Sequence, residues 1–344
     1  MLPKHKEILV LATALLVGVF MDCHAQQQVP TPPPVPSPPK TEEQESVKVF
    51  TEEILIPVVA YDQYGHFDPT LEPADILMLE DDVPQKVRSV RHLPANILLV
   101  IDMGSQIGET GSAEATRRIA KRIIARLGAN NQVAIIQNSN RIELLEDWTT
   151  DKRKLTHVFD PKSKFFTSRR SRLSECLIAA TNKLREKPVG NSHVIIFTDG
   201  VEAESNRRDY RETLKRITDT QATVHVITYS ALSREAITKR HFGLDFQMKR
   251  WYKQYGEATK QHDKLLAQLV DEMGGRLVLP ATMEDADKGG DKVASDIGAQ
   301  YIVSYSPKRP FVNEGERQRR SIKVFPRRIG LRLTAMRSYV APPI

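Results

Sequence analysis

Cysteine is nearly absent: the 344 residues contain two, Cys23 and Cys176. Cys23 falls in an N-terminal segment that reads as removable, so the remaining chain carries one thiol and can form no internal disulfide. Its stability has to come from packing. Aromatic residues are also scarce, at 6%, and no stacking platform accompanies the basic residues gathered between Arg317 and Arg337, Arg320 and Lys323 among them. Without a reader motif, these cations read as solvated strand faces, and no nucleic-acid partner is expected. Enzyme signatures are missing too. Gly104-Ser105-Gln106-Ile107-Gly108 has the wrong spacing for a nucleophile elbow, and no Gly-Lys-Ser/Thr phosphate loop occurs. An aspartyl phosphatase would need a second aspartate two residues after Asp102, where Gly104 stands. The nine histidines lack metalloprotease spacing. Cys176, between Glu175 and Leu177, has no evident activating base and reads as structural. Nor is there an internal repeat.

No apolar run is comfortably long enough to span a bilayer. The stretch from Ile8 to Phe20 follows Lys4 and Lys6 and is closed by Cys23-His24-Ala25, the layout of a secretory signal peptide cut after Ala25. Export to the periplasm or the cell exterior is therefore expected, with no transmembrane helix in the mature chain. Lipidation of Cys23 is disfavoured, because Phe20, Met21 and Asp22 are a poor context for lipoprotein processing. Residues 26–45 are glutamine- and then proline-rich and favour a stiff extended linker.

What the chain does contain is an ordinary globular composition, 40% apolar and 27% charged, with a formal net charge of +7. That balance permits an acidic partner without requiring one. Residues 46–95 alternate as short strands: Val47, Val49 and Phe50, then Ile54 to Tyr61, Ile76 to Leu79 and Val87 to Val90. From Asn96 the rhythm becomes strand then helix. The run NILLVID from Asn96 to Asp102 is too short for a spanning helix and too uniform for a half-exposed strand, so it should be a central strand buried on both faces. His193 to Gly200 (HVIIFTDG) repeats the design and ends in Asp199. Ala115, Ile119, Ile123 and Leu127 recur every fourth residue on one helical face, and Gly128 stops that helix.

Gln132 to Gln137 and Arg141 to Trp148 read as an antiparallel edge hairpin. Later come a helix around Tyr210, Leu214 and Ile217, a strand from Thr223 to Tyr229, and a long helix carrying Leu265 to Met273 and stopped by Gly274-Gly275. A helix over Lys292 to Ala299 should be the last. The expected fold is α/β: a doubly wound, mostly parallel sheet over residues 96–299. The flanking strands of residues 46–95 and 300–344 should pair into a smaller discontinuous β-domain.

Two strands ending in Asp102 and Asp199 resemble the metal-bearing edge of a von Willebrand factor type A domain, and the β flanks are similar to those of a secreted group of such proteins described from acidobacteria. The resemblance implies a divalent cation, Mg²⁺ or another, at an Asp-x-Ser-x-Ser site completed by a threonine and a late aspartate. Asp102 and Asp199 match the two aspartates. Gly104 and Gln106 stand where the serines belong, Ser105 is one residue out of register, and Ser171 takes the threonine's place. The implied metal set is therefore Asp102, Ser105, Ser171 and Asp199, a degenerate version of the motif. Arg169, Arg170 and Arg172 crowd the same edge, where positive charge opposes a cation and suits an acidic protein surface instead. The reading is a protein-binding module of adhesion or scaffold type that is not an enzyme. A metal-dependent phosphate-ester hydrolase and a structural envelope protein without a ligand site are the alternatives.

Overall fold

The computed structural model describes residues 53–102, 112–138, 141–163, 173–198, 213, 216–239, 246–309, 311 and 318–341. All of them fall in one compact unit, Phe50–Ile344. In chain order the strands are β1 (Ile54–Tyr61), β2 (Ile76–Glu80), β3 (Val83–Gln85), β4 (Val87–Arg91), β5 (Asn96–Asp102), β6 (Gln132–Asn138) and β7 (Ile142–Thr149). They continue with β8 (Ser192–Thr198), β9 (Thr223–Thr228), β10 (Leu277–Val278), β11 (Gln300–Tyr305), β12 (Arg319–Pro326), β13 (Arg332–Ala335) and β14 (Ser338–Val340). The helices are α1 (Ser112–Arg126), α2 (Lys152–His157), α3 (Leu173–Leu184), α4 (Ser230–Lys239), α5 (Phe246–Glu272) and α6 (Met283–Gly298). The expected strand at Val47 to Phe50 and most of the helix around Tyr210 and Leu214 lie outside the described residues.

A six-stranded sheet in the order β10-β9-β8-β5-β6-β7 forms the centre, parallel throughout except for β7, which closes one edge antiparallel to β6. Strand alternation sorts β5 between two cores. Ile97, Leu99 and Ile101 pack with Ile119, Ile123 and Val293 from α1 and α6, while Leu98 and Val100 face Leu177, Leu266 and Leu269 from α3 and α5. All five β5 side chains are fully buried, each contributing about 1.5–3 kcal/mol of burial free energy. Cys176 belongs to the α3 side of the same packing.

Close approaches rest on glycine. A Cβ on Gly275 would lie 1.9 Å from the Val224 carbonyl oxygen, so only glycine lets the chain leave α5 and enter β10 beside β9. Inside α6, a Cβ on Gly289 would lie 2.2 Å from the Val278 side chain. That helix starts at Met283, well before Lys292, with Thr282 and Asp285 forming a reciprocal cap. The pair Gly289-Gly290 weakens the local helical signal yet lets the helix seat tightly on its neighbours.

The two flanks meet in a pair of antiparallel sheets, β13-β1-β11-β4 and β14-β12-β2-β3. Their inward residues, including Ile56, Val58, Met78, Val303 and Ile322, join the core on the α3/α5 side of the central sheet. One correction concerns Arg320: it is fully buried rather than solvated. Its guanidinium donates to Glu80 at 2.9 Å and to the Arg309 carbonyl at 3.0 Å, and it lies 4.3 Å from the Phe311 ring centre. Tyr339 donates its hydroxyl proton to the same Glu80 carboxylate. An inward position on β12 therefore carries a charge, neutralised by a carboxylate far away in sequence.

A second buried polar network lies at the start of the parallel strands. Asn191 donates to the Leu93 carbonyl at 2.6 Å, and its side-chain oxygen accepts from Gln300 at 2.8 Å and from His193 Nε2 at 2.9 Å. With that proton on Nε2, His193 Nδ1 is left to accept from His225 Nε2 at 3.3 Å. His225 Nδ1 is then a buried acceptor with no partner. Burial holds His225 down to about 4, with Asp296 opposing the shift and Arg276 adding to it. Burial and the neighbouring His225 hold His193 well below the ordinary range. The unfolded chain takes up these protons near pH 6.5 and the folded chain does not, so stability is full above that pH and falls as pH drops toward about 4. Chemical denaturation of the wild type should show a loss of a few kcal/mol over that interval, on the order of 1.4 kcal/mol per unit of pKa difference. His225→Gln should flatten the slope, and an unchanged slope would show that the pair is not the source.

Candidate functional site

The carboxyl ends of the parallel strands carry an unbroken polar row. Register pairs Asp102 of β5 with Asn138 of β6, and Thr198 of β8 with Thr228 of β9. Because β8 also pairs with β5 up to Phe197 opposite Ile101, Thr198 falls next to Asp102. The order across the sheet is Asn138, Asp102, Thr198, Thr228. All four residues are fully buried. Their even spacing from Leu98, Ala134, Val194 and Val224 places them on the side covered by α3 and α5.

Asp102 is the centre of this row. Asn138 Nδ2 donates to its Oδ1 at 2.8 Å, and Thr198 Oγ1 donates to its Oδ2 at 2.6 Å. One carboxylate thereby links three adjacent strands. The Asn138 amide has spent its nitrogen on Asp102, and its own Oδ1 is buried with no hydrogen-bond partner. A buried amide oxygen left bare costs about 1–3 kcal/mol, so it marks a place where a donor or a cation is wanted.

The row continues past β9. Thr228 Oγ1 accepts from the Ser230 backbone N–H at 3.3 Å, and Ser230 Oγ lies within 2.7 and 2.8 Å of the two Asp263 oxygens. Arg234 of α4 donates to Asp263 at 2.9 Å and to Thr259 at 3.1 Å. Asp263, on α5, brings a second carboxylate to this end of the sheet, but Arg234 neutralises it. The sequence reading missed Asn138, Thr198, Thr228 and Asp263. The first three had a usable signal, since each is the polar residue that ends an apolar strand, as Asp102 does. Asp263 had none, because only the packing of α5 brings it near Ser230.

Of the residues expected to bind metal, Asp102 stands at the strand end described above, whereas Ser105, Ser171 and Asp199 lie outside the described residues. So do Arg169, Arg170 and Arg172. Among the described residues no three His, Cys, Asp or Glu side chains cluster as a metal site. The donors present are a carboxylate, an amide oxygen and hydroxyls, which fit a hard divalent cation in type. The only carboxylate in the row of four is Asp102. Of the buried histidine pair, His193 is near the start of β8, away from Thr198, and His225 pairs with Ile195 in the middle of the strands.

Replacing Thr198 with valine keeps the shape and removes a donor from the buried Asp102 carboxylate. Thr198→Val should cost about 2 kcal/mol in urea denaturation. A cost below a few tenths would mean that Asp102 does not rely on this bond.

Comparison with known proteins places this rim in a recognisable fold. The von Willebrand factor type A domain family model matches residues 96–241, from β5 past the end of α4. Among solved structures, a von Willebrand factor type A protein from Catenulispora acidiphila shares 9% identity at a TM-score of 0.46, over 78% of this chain and 73% of that one. BatB from Bacteroides thetaiotaomicron shares 18% at a TM-score of 0.33, over 40% of this chain and 66% of that one. The vWF domain of the type V pili tip protein Mfa5 from Porphyromonas gingivalis also shares 18%, at a TM-score of 0.29, over 33% and 40%. The chain thus spans just under two thirds of BatB and well under half of the Mfa5 chain. No curated protein matches it. The central α/β sheet is of the von Willebrand A type.

Proposed function

We propose that this chain is an exported protein-binding module of adhesion or scaffold type, akin to the secreted acidobacterial group, and that it works through the carboxyl-end rim of its central sheet without catalysing a reaction. The observation that carries this reading is the bare Asn138 Oδ1 beside the clamped Asp102 carboxylate. At an oxygen-lined strand end such a pair suits a cation or a partner's donor. Mg²⁺ or another divalent cation would be held by Asp102 with Ser105, Ser171 and Asp199, and when bound it would supply a positive centre for a partner carboxylate. Because Gly104 and Gln106 provide no hydroxyl, the site is degenerate and its affinity low. Arg169, Arg170 and Arg172 add positive charge facing the same acidic partner.

A thermal-shift titration of the chain with Mg²⁺, Mn²⁺ and Ca²⁺ tests the cation. A ligand that binds only the native state stabilises it by about 2.7 kcal/mol at a hundred times its Kd. At least one ion should raise Tm at millimolar concentration, and Asp102→Asn should abolish the rise. No shift with any of the three would overturn the metal part. Capture from an envelope extract tests the partner: charge reversal at Arg169, Arg170 and Arg172 should abolish it, and undiminished capture would remove this edge as the binding surface.

A further inference from the structure

Helix α5 is 27 residues long, about 40 Å at 1.5 Å per residue. Its packed side is formed by Tyr255, Thr259, Leu266, Leu269 and Val270. The opposite side begins with Phe246, which is 80% exposed. At helical spacings after it come Lys249, Arg250, Lys253, Lys260 and Lys264, all exposed, with Glu257 the one carboxylate among them. Lys249 to Lys264 covers about 23 Å of helix. Among the described residues none of these five cations makes an ion pair. The arginines of α1 behave differently, since Arg118 pairs with Asp287 and Arg122 with Asp291 across to α6. The α5 stripe is thus a row of positive charge without ion pairs and with an exposed aromatic residue, Phe246, at its start; Trp251 lies toward the packed side, stacked on Tyr255.

We infer that this stripe docks on an anionic phospholipid surface. Charge complementarity calls for a negative partner, and the residue types select which kind. Four of the five cations are lysines, point charges without the fixed fork that matches one carboxylate geometry. Protein interfaces are depleted in lysine and enriched in arginine. A row of lysines led by an exposed phenylalanine is instead the composition that settles on headgroups, with the aromatic ring at the boundary of the apolar layer. The stripe is on the side of α5 opposite Thr259, Leu266, Leu269 and Val270, so lipid would meet the helix from its outer side.

Co-sedimentation of the full chain with phosphatidylcholine vesicles, with and without about a third phosphatidylglycerol, tests the inference. The wild type should prefer the anionic vesicles, and raised salt should erase the preference. Each cation near such a surface is worth about fivefold in affinity, so K249E/R250E/K253E should weaken anionic-vesicle binding by about a hundredfold or more. The variant R88E/K154E/K162E carries the same change in net charge on other exposed positions and should keep its preference. Phe246→Ser should weaken binding severalfold. Brominated lipid should quench a tryptophan placed by Phe246→Trp in a Trp148→Phe/Trp251→Phe background, a readout that needs no charge reversal. Absence of a preference for anionic vesicles, equal losses in both triple variants, absence of quenching, or binding to polyglutamate without binding to vesicles would each overturn the inference.

Discussion

A buried carboxylate held from two sides governs the top of this molecule. Asp102 ends the central strand with no exposed surface, and the donors of Asn138 and Thr198 help make that burial tolerable. Removing an ionised carboxylate from water costs several kcal/mol even after relaxation. A valine would complete the strand at no such cost, and the five apolar residues before Asp102 follow that simpler rule. The exchange brings a fixed negative group, tied to three strands, at the edge where open α/β sheets receive ligands. Asn138 extends the logic: it supplies a donor to Asp102 and in return leaves an acceptor bare.

The rest of the fold serves to hold that edge still. Because β5 is covered on both faces, its register cannot slip without moving every apolar side chain to the wrong core. The α3/α5 core continues into the paired antiparallel sheets, so the flanks add to the same apolar mass rather than forming an appendage. Two buried polar networks sit at the seams of this arrangement. Arg320 and Glu80 lock β12 and β2 from within, and Asn191, His193, His225 and Gln300 tie the beginnings of β8 and β9 to the start of β11. In the second, one ring nitrogen of His225 is left without a hydrogen bond, while in the first Arg320 is shared among Glu80, Arg309 and Phe311. Such networks specify pairing more than they stabilise it, since an apolar substitute would cost less to bury.

Much of this was legible in sequence because it depends on local periodicity. The uninterrupted run from Ile97 to Ile101 marked a doubly covered strand, the fourfold spacing of Ala115, Ile119, Ile123 and Leu127 marked the face of α1, and the acid that closes the first run marked the strand end at Asp102. Features that depend on long-range pairing were hidden. Arg320 looked like one more surface cation, since Glu80 is remote in the chain. The early start of α6 was masked by Gly289-Gly290, residues that disfavour a helix in isolation but suit one pressed against Val278 and Ile119. The amide and hydroxyl partners of Asp102 were overlooked for another reason: attention to acidic residues passed over Asn138 and Thr198, which occupy the same strand-end position as Asp102 on neighbouring strands.

The central claim is that the row through Asn138, Asp102 and Thr198 receives a ligand. Its most direct test is nuclear magnetic resonance of the chain titrated with Mn²⁺, reading the Asn138 side-chain amide and the methyl groups of Thr198 and Thr228. The account predicts that paramagnetic broadening reaches these three signals before those of residues elsewhere in the sheet, and that excess Mg²⁺ restores them. Broadening that is uniform over the surface, or that spares this row while affecting other residues first, would contradict it.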